Sequence, residues 1–443
     1  MYDGRKGLER LNKTLDDSSS SNEERPTSKA LFVGLLLFFL FEYGRPGSYI
    51  PLLGVAKLNT IIPVLVFLLT FFSSAGTGNM TVVGARNTRW LSFFLLLFII
   101  QAFTADVTLY VYNVFKAIVG YLLVYFVIIK QVTSIGRIKA VFSALVFIHV
   151  ALIILNPELV LEPEGRHYVA GVTFLGDGND FAWSTCIVLP MALFLAQVSE
   201  RKWEKFLFFG TFFLLVLAVV GTQSRGGSIA LAALIIYLIF RGKRKTVGLL
   251  GLGMVITVVL LFAPEAYFDR MKTIKNYETE GSAQGRIMAW KSAVRMARDH
   301  PLIGVGAGHF PVKYGAEYRP PGVGRTELPW SNTHSIYFLA LGEFGFTGMF
   351  ILLGVIFTNL LRNERTIRDI NKSTLSSAEA NRKLIVTMQA SLIGFAVGGV
   401  FLSGLYYPHL YVLAALSESV QLICAGQDAR TTLQTYKNST SDR

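Results

Sequence analysis

A histidine opens one of the long apolar runs of this chain: Trp330-Ser-Asn332-Thr-His334-Ser335 leads directly into it. An imidazole that titrates near neutrality can take the proton of an attacking hydroxyl, which makes His334 a candidate general base. The ordinary alternative is a structural histidine at a helix N-terminus. Between two other apolar runs lies Gly221-Thr-Gln-Ser-Arg225-Gly-Gly, a turn too short to be an idle loop. A guanidinium fork suits a phosphate, which it grips through parallel N–H bonds, and the flanking glycines let backbone amides approach a ligand. Arg225 is either that contact or an anchor snorkelling to lipid headgroups. A third stretch runs from Gly165-Arg166-His167 to Asp177-Gly-Asn179-Asp180 and adds a second arginine, Arg166, among hydrogen-bonding side chains. Asn179 or Asp180 is expected to cap the helix that follows. Asp177 and Asp180 by themselves are a weak divalent-ion pattern, and no metal is expected. Lys116 falls about two turns inside an apolar run; a charge there is a functional candidate by default, with snorkelling as the alternative. His409, His309 and His167 are weaker rivals to His334. Several arginines, one well-placed histidine and no thiol suit a phosphate or pyrophosphate leaving group. Arginines stabilise the charge that develops while a base deprotonates the acceptor. No Ser/His/Asp spacing, P-loop, zinc motif or nucleotide fingerprint competes, and no cofactor is expected.

Composition indicates the scaffold these groups need. The 443 residues are 52% hydrophobic and 16% charged, with mean hydropathy +0.48, whereas soluble domains carry about 25% charged residues. That excludes a disordered chain and argues against a water-soluble enzyme. Cys186 and Cys424 both lie inside apolar runs and supply neither a disulfide framework nor a metal site. A membrane span needs roughly 20 mostly apolar residues. About twelve such runs occur, starting near Ala30, Thr60, Trp90, Thr108, Ala140, Phe181, Phe206, Ser228, Thr246, Ser335, Leu384 and His409. The predicted fold is an all-α polytopic membrane protein of about 12 transmembrane helices.

Charge sets the orientation. Every second connection is basic: Arg86 and Arg89; Lys130, Arg137 and Lys139; Arg201, Lys202 and Lys205; Arg241 to Lys245; Arg362 to Lys383. The segment 156–180 instead carries Glu158, Glu162, Glu164, Asp177 and Asp180. By the positive-inside rule the basic connections and both termini are cytoplasmic. The net charge of +13 then reports topology, and no nucleic-acid partner is expected. The predicted organisation is a disordered cytoplasmic tail over 1–29, helices 1–9 over 30–263, a periplasmic loop domain over 264–333, helices 10–12 over 334–426, and a cytoplasmic tail over 427–443. The large loop thus falls between the ninth and tenth helices, and a loop of that length is uncommon without a function. Within it, 284–299 reads as an amphipathic helix with Ile287, Trp290, Val294 and Ala297 on one face. Lys291, Arg295 and Arg298 share the other, as on a helix lying in the membrane interface. Arg286, off that basic face, is the better candidate for a directed contact.

At these residues the chain resembles a known family. His334-Ser335, nine residues, then Gly345-Phe-Thr-Gly348 is similar to the His-(Asn/Ser/Gln)-x9-Gly-x-x-Gly signature of bacterial O-antigen ligases. Ser224-Arg225-Gly226-Gly227 and the block Gly285-Arg286…Trp290…His300-Pro301-Leu302-Ile303-Gly304-Val305-Gly306…Phe310 resemble the core shared by the ligase and polymerase superfamily. The resemblance implies a metal-independent, inverting glycosyltransferase at the periplasmic face of the bacterial inner membrane. Its donor would be an undecaprenyl-diphosphate-linked glycan, and its acceptor a sugar hydroxyl of lipid A core. His334 would position or deprotonate the acceptor, and Arg225, Arg286 and Arg166 would hold the diphosphate. Lys116, Asn179, Asp180 and His409 rest on position alone as substrate contacts. A polymerase or a protein O-oligosaccharyltransferase on the same carrier differs only in acceptor. A secondary transporter is the reading from another class, disfavoured because carriers place polar sites near the midplane of paired repeats.

Overall fold

The computed structural model describes residues 29–55, 57–73, 85–161, 169, 174–272, 281–319, 332–372 and 378–441. Among them there is no strand. In chain order the principal helices are α1 (Lys29–Phe39), α2 (Leu58–Ser73), α3 (Arg86–Thr104), α4 (Thr108–Gln131) and α5 (Ile135–Leu155). Then come α6 (Gly178–Val198), α7 (Lys202–Gly221), α8 (Arg225–Arg241), α9 (Lys245–Phe262), α10 (Glu265–Lys272) and α11 (Gly281–Asp299). The chain closes with α12 (Phe310–Ala316), α13 (Ile336–Ile370), α14 (Ala378–Gly398) and α15 (His409–Ser441). Nine helices among the described residues are long and apolar enough to cross a membrane: α3–α7, α9 and α13–α15. The shorter helices α1, α2 and α8 (11, 16 and 17 residues) fall where the sequence predicts the first, second and eighth spans.

α6 is the centre of the bundle. It packs on α5, α7, α8 and α14 and is apolar all round, as a helix enclosed by other helices must be. α9 lies at the other extreme, with Val255 its only buried residue, so nearly its whole surface lies outside the bundle. One end of the bundle gathers the basic connections: Arg241 pairs with Glu364, Lys243 with Glu379, and Arg382 reaches the Arg241 carbonyl. Just inside that end, Asn87 bonds Asn359 at 3.0 Å and Arg362 pairs with buried Glu418 at 2.7 Å. These contacts staple α3, α13 and α15 together. The opposite end, the head, carries α10–α12.

One expectation is corrected here. α11 does not lie free on a membrane surface; it packs along α13. Its buried face is Ala289, Ser292, Ala293, Met296 and Ala297, and the Arg295 guanidinium turns inward to the Tyr318 and Arg319 carbonyls. Small residues permit that approach; the larger Trp290 remains at its edge, and Lys291 and Arg298 stay exposed. α15 runs on to Ser441, past residue 427, and no proline interrupts that stretch. The predicted tail over 1–29 lies outside the described residues except for Lys29.

Candidate active site

The glycines of the His-x9-Gly signature serve a docking job. α13 breaks at Gly345, whose φ is 65° and ψ −162°, a conformation only glycine adopts readily. The break opens the helical hydrogen-bond ladder, and residues 301–306 move in to satisfy it. Phe346 N–H donates to the Pro301 carbonyl (2.8 Å), while Val305 and Gly306 N–H donate to the carbonyls of Gly342 and Glu343 (both 3.0 Å). A Cβ at Gly345 would stand 2.5 Å from the Pro301 oxygen. The two halves of the sequence resemblance, His300 to Gly306 and Gly345 to Gly348, are therefore the two faces of one joint.

Glu343 locks that joint. Its side chain is 1% exposed, and its carboxylate accepts the N–H groups of Gly308 and Phe310, each at 2.8 Å. The phenol of Tyr406 donates to it as well; burial, with the Glu343 charge beside it, holds that phenol far above the ordinary tyrosine range and keeps it a donor. Gln101 completes the seam, giving its amide N–H to the carbonyls of Ile303 (2.6 Å) and Glu343 (2.7 Å) and accepting from Ala307 N–H (2.9 Å). At the joint's rim Lys313 pairs with Asp106 at 2.5 Å and holds that carboxyl below the usual range.

His334 sits on this frame two turns ahead of Glu343. It is exposed, between fully buried Thr333 and Ser335, and its backbone is left-handed, φ 48°. Such strain in a non-glycine residue persists only where neighbours enforce it. Thr333 Oγ1 donates to the Ser335 carbonyl at 2.9 Å, the Thr333 carbonyl accepts from the Trp290 indole at 2.8 Å, and Ser335 caps α13. Trp290 in turn stacks on Phe338, ring centroids 4.8 Å apart and 9° from parallel. Arg286 lies one turn before Trp290 on α11, half-buried, so the indole bond also fixes the helix that carries Arg286.

A segment that sequence reasoning passed over, residues 399–408 between α14 and α15, joins these parts. Phe401 lies against Gly226, where a Cβ would meet Phe401 Cβ at 2.8 Å; this seats the first turn of α8, which Arg225 opens under a Ser224 cap. Ser403 Oγ stands 3.3 Å from Thr333 Oγ1, next to His334. Tyr407 donates to Asp180 at 3.3 Å, its phenol pushed up first by burial and then by that carboxylate. One short segment thus touches the neighbours of Arg225 and His334 and touches Asp180 itself.

The other predicted residues fall as follows. The helix cap at α6 is Asp177, which accepts from Asn179 N–H (2.7 Å) and from the Asn179 side chain (2.9 Å). This corrects the expectation of Asn179 or Asp180 as the cap, and it leaves Asp180 in the first turn to meet Tyr407. His409 is 2% exposed, enclosed by Tyr43, whose hydroxyl lies 3.2 Å from Nδ1, and by Trp183 and Phe174. It therefore lies beneath the connecting segment. Lys116 is on the exposed surface of α4 with its ammonium 4.7 Å from the Tyr112 ring centroid, one turn nearer the head. His309 is buried, accepting from Val107 N–H at 3.1 Å. Arg166 and His167 lie outside the described residues. Glu343, Tyr406, Tyr407 and Ser403 were missed. The one available signal was Glu343 itself, a carboxylate inside an apolar run of the kind that marks function or structure by default.

None of the curated proteins searched matches this chain. Residues 210–353, which hold Arg225, Arg286, His334, Glu343 and both faces of the joint, match the family model described as O-antigen ligase. Over that stretch the chain is similar to the O-antigen ligase family.

Proposed function

We propose that this protein transfers an O-antigen glycan from undecaprenyl diphosphate to a sugar hydroxyl of lipid A core. It does so from the periplasmic side of a bacterial inner membrane that its chain crosses twelve times, with both termini in the cytoplasm. The observation that carries this reading is the meeting at segment 399–408 of the α8 start, the α6 start and the His334 turn; the α8 start and the His334 turn lie inside the stretch that matches the family model. The basic residues gathered at the other end support the orientation.

In the proposed reaction the acceptor oxygen attacks the anomeric carbon as the bond to the diphosphate oxygen breaks, so one displacement inverts that carbon. His334 takes the hydroxyl proton. The electron pair leaves with undecaprenyl diphosphate, whose growing charge is held by Arg225 and Arg286, with Arg166 as a third donor. Asp180, Asn179 and Lys116 would line the approach. Guanidinium groups supply the charge stabilisation, and no metal or other cofactor enters the proposal. A strained, exposed His334 on a rigid frame fits a base that must be pre-oriented for one geometry.

The test is a lipopolysaccharide gel from a deletion strain complemented with wild type or His334→Ala. Core lacking O-antigen, restored by wild type only, supports the proposal. Core capped with a single repeat unit would make the enzyme a polymerase. An unchanged ladder would refute both and direct attention to glycoprotein acceptors and then to transport.

A further inference from the structure

At the basic end of the bundle, far from the head, α5, the end of α6 and the start of α7 enclose an open pocket of about 550 Å³. That is within the range of specific small-molecule sites, roughly 300–1,000 Å³. Its lining is graded along the helix axes. Lys139, Glu200, Arg201 and Glu204 form the outer rim, and Ser143 and Ser199 lie beside them. Deeper into the apolar layer the walls are Phe147, Leu195, Leu207 and Phe208. Lys139, Ser143 and Phe147 follow one another at intervals of four on one face of α5, so a single stripe passes from charge to hydroxyl to ring. Trp203, 59% exposed at the mouth, marks the level of the membrane–water interface, where tryptophan gathers.

The rim also holds both signs of charge. Arg201, its side chain exposed, and half-buried Glu204 stand 3.8 Å apart, a loose contact of little strength. Lys139 makes no ion pair among the described residues. Two cations and two carboxylates that leave each other largely unsatisfied, above apolar walls, match a ligand with a phosphate, an ammonium and an acyl chain. A purely anionic headgroup would meet two carboxylates without any compensating charge of its own.

We propose that this pocket is a binding site for a zwitterionic aminophospholipid of the adjacent leaflet. Lys139 and Arg201 take the phosphate, Glu200 and Glu204 take the primary ammonium, and one acyl chain runs along Phe147 and Leu207. The site stands apart from the transfer chemistry and does not depend on it.

Native mass spectrometry of the purified protein tests this directly. The protein in detergent is offered equal amounts of phosphatidylethanolamine and phosphatidylglycerol with identical acyl chains. Wild type should retain the ethanolamine lipid at least about fivefold over the glycerol lipid, and N-trimethylation of the headgroup, which removes the ammonium N–H donors, should weaken retention. Lys139→Ala should lower retention of both lipids. The double variant Glu200→Gln, Glu204→Gln should reverse the preference toward phosphatidylglycerol, a gain that a folding defect cannot produce. Equal retention of the two lipids by wild type, or an unchanged preference in the double variant, overturns the proposal.

Discussion

Glu343→Gln is the sharpest perturbation the joint offers, because it keeps the volume and removes one acceptor. The carboxylate receives three donors: Phe310 N–H on one oxygen, Gly308 N–H and the Tyr406 phenol on the other. A glutamine retains one carbonyl oxygen and turns an N–H group toward the remaining donors. At least one buried N–H is then stranded, which costs about 1–3 kcal/mol. At roughly 1.4 kcal/mol per decade, the joint between residues 301–310 and the break at Gly345 should open about 5- to 150-fold more often. Hydrogen exchange read by mass spectrometry on the purified protein measures this in the peptides covering 301–316. Their exchange should accelerate by that factor, while peptides of α14, which the carboxylate does not touch, keep wild-type rates. Transfer should fall although His334, Arg225 and Arg286 are all present, since the frame under His334 is the part that loosens. Wild-type exchange across 301–316 would refute the claim that Glu343 holds the joint, whatever happened to activity.

His334→Ala should abolish transfer at unchanged abundance and membrane insertion, measured by gel and immunoblot; transfer at the wild-type rate would remove the proposed base. Arg225→Lys replaces a two-pronged grip by a point charge and should cost about 1.5–3 kcal/mol of transition-state stabilisation, a loss of roughly tenfold or more in kcat/KM with purified lipid-linked donor. Full activity would make Arg225 an interfacial anchor. Gly345→Ala puts a side chain at φ 65°, ψ −162°, a region essentially restricted to glycine that costs about 1–3 kcal/mol, and drives a methyl to 2.5 Å from the Pro301 oxygen. Its yield in membranes should drop, and normal yield with normal activity would show that the break tolerates a side chain. Chelation with EDTA should leave transfer by the purified enzyme unchanged; loss restored by a divalent ion would replace the arginine-only account.

The amino-acid sequence alone determined the class of scaffold, because the length and apolarity of a span are local properties fixed by bilayer thickness. It also marked the charged and titratable groups that such a scaffold does not need: His334, Arg225 and Arg286. For Arg286 and Trp290 it identified the right helix and misjudged its environment. An amphipathic stripe has the same period whether it meets lipid or another helix, and only packing tells which. What tertiary structure decided was the assembly. Gln101 meets the Glu343 carbonyl across 242 positions of chain, and Tyr407 meets Asp180 across 227. Residues 399–408 are small, aromatic and aliphatic in one dimension, with nothing in their order to say that they join three helix ends. The signature glycines carried a similar ambiguity, since a glycine that admits a ligand and a glycine that admits a neighbouring backbone look alike. Gly345 admits the Pro301 carbonyl because a broken helix leaves hydrogen-bonding groups that a buried site must satisfy, and only the folded chain supplies the partner.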